Sequence, residues 1–323
     1  MFRILAAVSA AAFAAALSAS AFAQAWPSKP IRVIVPYSAG GSSDFTARTV
    51  ADRLGPLLGT TVIVEAKPGG NTVIGTEFVV KSPADGYTLL LAGLTTYGAQ
   101  PHLMKNLPYD VLKDLAPINN AIISPLVLSV HPSVPAKNVK EFIAYAKANP
   151  GKVNFGSAGV GNTLHLAVEQ FRAKTGIEIV NVPYKGASQA VVDLIAGNIQ
   201  MMIDLVQTPL GHINAGKLRA LGTTWEKRAS ALPDVPTLME QGVDMNFGAM
   251  IGFMGPAGMP KDVVNRLHAE IAKTMAMPEV RAAFAKQAME PATFASPEAY
   301  AAAFRAEVDN MGKLIKAAGI QPQ

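Results

Sequence analysis

Val33-Ile34-Val35-Pro36-Tyr37-Ser38-Ala39-Gly40-Gly41-Ser42-Ser43-Asp44 runs from a β-branched stretch through a loop of small residues into the first turn of a helix. Further along the chain, Asn154-Phe155-Gly156-Ser157-Ala158-Gly159-Val160-Gly161-Asn162-Thr163 repeats the same order of events. Glycines let backbone come close to a bound group, and the unpaired N–H groups of a first helical turn point out of such a loop. Those donors and the helix dipole favour a carboxylate or a phosphate. In open α/β sheets, ligands sit outside the carboxyl ends of the strands, where both loops fall. Each loop taken singly also reads as an ordinary tight turn, capped by Ser42 or Asp44 in one case and by Asn162 or Thr163 in the other. Two of them, one in each half of the chain, favour a shared cleft.

Outward from these loops the chain alternates strand and helix. Strands are expected at residues 31–36, 62–65, 89–91, 126–130, 153–155, 179–182, 199–204 and 219–223. Helical spacing predicts residues 42–58, 138–148, 162–175 and 188–196, and two helices near the end that begin around Pro260 and Ser296-Pro297. This is an α/β fold, with a mostly parallel sheet flanked by helices in each of two lobes. Met239, Met245, Met250, Met254 and Met259 read as packing in the core or at the crossover.

The N-terminus decides the compartment. Arg3, an apolar run over residues 4–19 and Ala21-Phe22-Ala23 have the order of a cleavable signal peptide, so residues 1–23 are expected to be removed. About 300 residues would remain, enough for one large or two ordinary domains. The net charge of +5 contains no Lys/Arg run, which argues against a nucleic-acid partner. The absence of Cys excludes disulfides, thiol nucleophiles and Cys-based metal sites. The five His are scattered without an H-x-x-x-H pair, so no metal and no cofactor is expected.

Enzyme motifs fail one by one. Ser157 lacks the glycine two residues before it that a nucleophile elbow needs. Gly159-Val160-Gly161 lacks the third glycine of a dinucleotide fingerprint, and Leu218 replaces the Ser/Thr of a phosphate-binding loop after Gly211 and Lys217. The remaining candidates are single residues near strand ends. His165 could touch ligand or satisfy a loop carbonyl. Tyr184 and Lys185 could present a phenol and an ammonium, or form a solvated turn. Thr95 and Thr96 offer hydroxyls, and Asp204 could fix a loop or meet a ligand amine or hydroxyl. Asp44 would compete with an anion for the same donors, unless it caps from the side or meets a cationic part of the ligand.

Ordered blocks along the whole chain resemble the Bug proteins, extracytoplasmic solute receptors of tripartite tricarboxylate transporters. These blocks are Trp26-Pro27-Ser28-Lys29-Pro30-Ile31-Arg32, Val64-Glu65-Ala66-Lys67-Pro68-Gly69-Gly70, and Ser82-Pro83-Ala84-Asp85-Gly86-Tyr87. Further blocks are Val182-Pro183-Tyr184-Lys185-Gly186, Ala215-Gly216-Lys217-Leu218-Arg219 and Leu232-Pro233-Asp234-Val235-Pro236-Thr237. The resemblance implies a two-lobed periplasmic receptor that closes like a flytrap, with lobe one at residues 24–126 and 247–323 and lobe two at residues 127–246. It implies a ligand carboxylate held between Tyr37, Ser38, Ala39, Gly40, Gly41 and Ser43 on one side and Ser157, Ala158, Gly159, Gly161 and Thr163 on the other. A monomer that hands a small organic acid to membrane permease subunits is the implied mode of action. Two other readings stay open at this point: a periplasmic hydrolase or isomerase using His165, Asp204 or Asp44, and a ligand-presenting partner of a membrane sensor.

Overall fold

The computed structural model describes residues 26–157, 159, 161–184 and 186–322. The expected signal peptide, Ala158 and Lys185 lie outside the described residues. Strand β1 (Ile31–Val35) pairs in parallel with β2 (Val62–Ala66) and β3 (Thr88–Gly93), Ile31 standing opposite Val62 and Val33 opposite Leu89. Helix α1 (Ser42–Leu58) follows β1 and buries Ala47, Val50, Ala51, Leu54 and Leu58, a three-and-four spacing that lays one face on the sheet. It stops at Gly59, whose φ of 72° is the left-handed conformation in which glycine ends helices. Helices α2 (Val73–Val80) and α3 (Leu94–Leu103) follow β2 and β3.

The second half repeats the scheme. After α4 (Val139–Ala148) comes β5 (Val153–Ser157), then α5 (Thr163–Thr175), β6 (Ile179–Pro183), α6 (Ala187–Ala196) and β7 (Met201–Leu205). A short α7 (Leu210–Asn214) leads to β8 (Arg219–Thr223), and β5 pairs in parallel with both β6 and β7. The chain ends in α8 (Lys261–Ala276), α9 (Pro278–Ala285), a two-residue β10 (Glu290–Pro291) and α10 (Pro297–Ala317).

Two long strands join the halves. β4 (Leu115–Val130) carries the chain across and β9 (Gly248–Pro256) brings it back, so the two run antiparallel. The sheet therefore reads β2-β1-β3-β9-β4-β7-β5-β6, with β8 and β10 also on β4. Its outer trios are parallel and its middle antiparallel, because a crossing and its return must run opposite ways. β4 changes partner at one point: Leu115–Pro125 lies against β9, and Leu126–Val130 against β7 and β8. One apolar cluster packs Phe142, Phe155, Val168 and Phe171 and also takes in Ala99 of α3 and Met311, Leu314 and Ile315 of α10. A second packs α1 and α8 on β1, β3 and β9 through Val33, Leu54, Phe253 and Leu267. Among the described residues, no helix is long and apolar enough to cross a membrane.

Candidate functional site

Four helices begin at one cleft, directly after the carboxyl ends of β1, β3, β5 and β6. A cavity of about 370 Å³ there is lined by Gly41, Ser42 and Ser43 of α1, Thr95 and Thr96 of α3, Asn162, Thr163 and Leu164 of α5, and Ala187 of α6. Ala249, Met250 and Ile251 of β9 form an apolar wall, and Tyr37, Gly93, Asp204, Leu205 and Thr208 complete the lining. A second cavity of about 620 Å³ adjoins it, sharing Tyr37, Thr95, Thr96, Asn162 and Thr163 and adding Asn71, Gln100, Leu103 and Gly161. Among the described residues, neither lining contains Lys, Arg or His.

The helix starts differ in what already occupies their donors. α1, α3 and α6 begin at Gly41, Gly93 and Gly186 with no side-chain cap, so their first N–H groups have no intrahelical partner. α5 is capped: the Asn162 carboxamide oxygen accepts from the Leu164 N–H at 2.8 Å. The capped-turn reading thus describes the second loop in part; in the first, the Asp44 carboxylate bonds the Gly40 N–H ahead of the helix, and no side chain caps the helix at Gly41.

Asp44 does not reach the cavity. One carboxylate oxygen accepts from the Gly40 N–H at 3.1 Å, and both lie 3.1 Å from the Arg48 Nε. The Arg48 hydrogen bond, with the Gly40 N–H, holds this buried carboxyl below its usual range against the opposing effect of burial. Asp44 therefore braces the loop from the side, the first of the two roles open to it in the sequence. Ser38, Ala39 and Gly40 are exposed at the loop tip and outside the cavity lining. Tyr37 points inward, its phenol reaching the Gly93 backbone and the Thr96 hydroxyl, and burial raises its pKa.

His165 also turns away from the cleft. Its Nδ1 accepts from the Gly161 N–H at 3.0 Å, its Nε2 is 3.6 Å from Glu169, and its ring stacks on Phe155. Arg172 holds Glu169 with contacts of 2.7 and 2.8 Å. An acceptor at Nδ1 requires the neutral ring, and burial lowers the imidazole pKa accordingly. His165 is a strut for the second loop. Gly159 and Gly161 give that loop its positive φ values of 107° and 76°, and a Cβ at Gly161 would come within 2.9 Å of Leu103.

The other candidates divide. Ser157 is fully buried behind the loop, outside the lining. The Tyr184 phenol donates to Asp193 at 2.6 Å instead of facing the cleft; burial and that carboxylate push its pKa up to about 12. Asp204 does line the cleft, as a residue only 1% exposed. Its Oδ1 accepts from the Leu205 N–H at 2.7 Å, while Oδ2 has no hydrogen-bond partner among the described residues. Burial pushes its pKa up to about 7, with the Leu205 N–H and the nearby Thr208 hydroxyl pulling the other way.

The sequence reading missed the starts of α3 and α6 as donor sites. Gly93 and Gly186 each end an extended stretch immediately before a helix, the same signal that marked the two recognised loops. Met250 was also missed: Met245, Met254 and Met259 are buried as expected, but Met250 lines the cavity and Met239 is 44% exposed.

Comparison with known proteins agrees with this architecture. The chain is 36% identical over 300 residues to the protein BugT of Bordetella pertussis, covering 92% of each. The solved periplasmic binding protein BugD matches with a TM-score of 0.74 at 33% identity, over 92% of this chain and all of that one. The R. palustris protein Rpa4515, solved with adipate, matches with a TM-score of 0.78 at 30% identity over the same shares. The sequence pattern of TctC, the tripartite tricarboxylate transporter family receptor, matches residues 46–320, and the chain belongs to that family.

Proposed function

We propose that the protein is a periplasmic receptor that captures a small organic carboxylate in the cleft between two lobes and delivers it to the permease of a tripartite transporter. The observation that carries this reading is the convergence of four helix starts, three of them uncapped, on a cleft whose described lining has no cationic side chain. An anion at a helix start gains up to ~2 kcal/mol in a partly buried geometry. Micromolar binding requires about 8 kcal/mol. A carboxylate touching one half of the cleft falls well short, so a tight ligand must engage donors from both halves. That differential affinity is what drives closure.

The lobes are residues 24–126 with 247–323, and residues 127–246. What supports this division is the change of partner within β4 at Pro125/Leu126, matched by the return of the chain at β9. β4 and β9 are then the hinge. Export through the residue 1–23 leader and action as a monomer complete the proposal. What counts against acid–base catalysis is the placement of its three candidate groups: Asp44 is bound to Arg48, His165 faces away, and Asp204 has no base or nucleophile paired with it among the described residues.

A thermal-shift screen over organic acids tests the reading. A ligand at 100 times its Kd stabilises by about 2.7 kcal/mol. At least one carboxylate is expected to raise the melting temperature and to be recovered unchanged after overnight incubation. A screen in which no acid shifts the transition, or in which the bound acid is converted, contradicts it.

A further inference from the structure

Asp204 is the one acidic side chain in the described lining, and an anion site gives it no role. It occupies the fourth position of β7 (Met201–Leu205), and the backbone N–H of Leu205 holds Oδ1 at 2.7 Å, which fixes the orientation of the carboxyl group. Oδ2 is then left buried with no hydrogen-bond partner among the described residues, on a residue that lines the cavity. A buried polar atom without a partner is costly, and most such atoms in folded proteins are satisfied. Among the described residues, Asp204 lines the cavity together with Thr208, whose hydroxyl lies near the carboxyl group. No Lys, Arg or His among the described lining residues is available to pair with it.

We infer that Asp204 is a specificity-determining residue that accepts a hydrogen bond from a hydroxyl or amino group of the ligand. The substrate class is thus an organic acid that carries a donor in addition to its carboxylate, in preference to the bare acid. The inference rests on the reading of the cleft as a carboxylate site. The geometry divides the labour: helix starts supply N–H donors for the anionic end, and Asp204 supplies the one acidic side chain of the described lining. A ligand that lacks the donor leaves Oδ2 desolvated and unpaired. A site built around a ligand hydroxyl or amine rejects the analogue without it for that reason.

Calorimetric titration of the mature protein with matched acids tests this: succinate, malate and aspartate; glutarate, 2-hydroxyglutarate and glutamate; propionate, lactate and alanine. In at least one series the wild type is expected to bind a donor-bearing member about tenfold to a hundredfold more tightly than the bare acid. Asp204→Ala should bring that ratio close to one while changing affinity for the bare acid little. Asp204→Asn, which keeps size and shape but places an N–H₂ in the cavity, should lose the preference while melting no lower than wild type without ligand. Equal affinities across every series, or an unchanged ratio in both variants, overturns the inference and leaves the carboxylate reading standing. If no acid of any series binds, the carboxylate reading falls, and the inference with it.

Discussion

At the scale of single residues, two buried titrating groups make opposite demands on pH. Asp204 has its pKa raised to about 7 in the fold, against about 4 in an unfolded chain. The folded state therefore holds a proton that the unfolded state has lost, and this group's contribution to stability declines as pH rises from about 4 to 7. Without ligand, Asp204→Asn should be the more stable protein at pH 8, by roughly 2–4 kcal/mol, and the gap should close by pH 4. Denaturant titrations of both proteins across that range give the result, and a constant gap would show that burial of this carboxyl is not costly. His165 works the other way. Its pKa is lowered by burial, so the unfolded chain takes up a proton first as pH falls through the imidazole range, and stability is lost in that direction. His165→Asn can keep an acceptor for the Gly161 N–H without titrating and should bind ligand nearly as well as wild type. His165→Leu removes the acceptor, should weaken binding about tenfold by freeing the second loop, and should leave the rest of the fold intact. The sequence placed His165 beside the loop as a ligand contact or a partner for a loop carbonyl, but spacing does not say which way a ring turns, and the ring instead accepts from the Gly161 N–H.

At the scale of elements, the starts of α1 and α5 carry the binding claim, and proline offers a way to delete a donor without breaking a helix. Ser42 and Thr163 are the first helical residues, and the residues before them, Gly41 and Asn162, are extended with ψ of 178° and 157°. Proline is well accommodated at a first helical position and after an extended residue; α10 already has Pro297 in that place. Ser42→Pro and Thr163→Pro should therefore melt close to wild type and lose about tenfold or more in affinity for the ligand. Full affinity in both would remove these helix starts from the site. The same elements show where sequence periodicity succeeds and fails. The boundaries of α1 and β8 are those expected, since apolar spacing and flanking glycines agree there. α3 was missed because Gly98 and Pro101 interrupt it. β4 was recognised only over its last residues, because Asn119, Asn120 and Ser124 break the apolar pattern. The two asparagines are nevertheless buried: Asn119 donates to the His268 carbonyl of α8 and accepts from the Phe294 N–H, and Asn120 donates to the Ala292 carbonyl.

At the scale of the whole molecule, the alternation of strands and helices made the α/β class legible, and the paired loops pointed to the cleft between its halves. The antiparallel middle of the sheet was not legible, since pairing between β4 and β9 joins segments more than 120 residues apart and leaves no local signature. Closure about these two strands predicts that a saturating acid reduces the radius of gyration in X-ray scattering and slows amide exchange at the starts of both α1 and α5. Protection confined to one of them would describe a ligand held by a single half. The most direct test is a crystal structure of the mature protein grown with the acid that gives the largest thermal shift. The account predicts its carboxylate between the backbone N–H groups at Ser42–Ser43 and those at Thr163, in contact with both halves at once. An acid bound elsewhere, or touching residues from one half only, would contradict it.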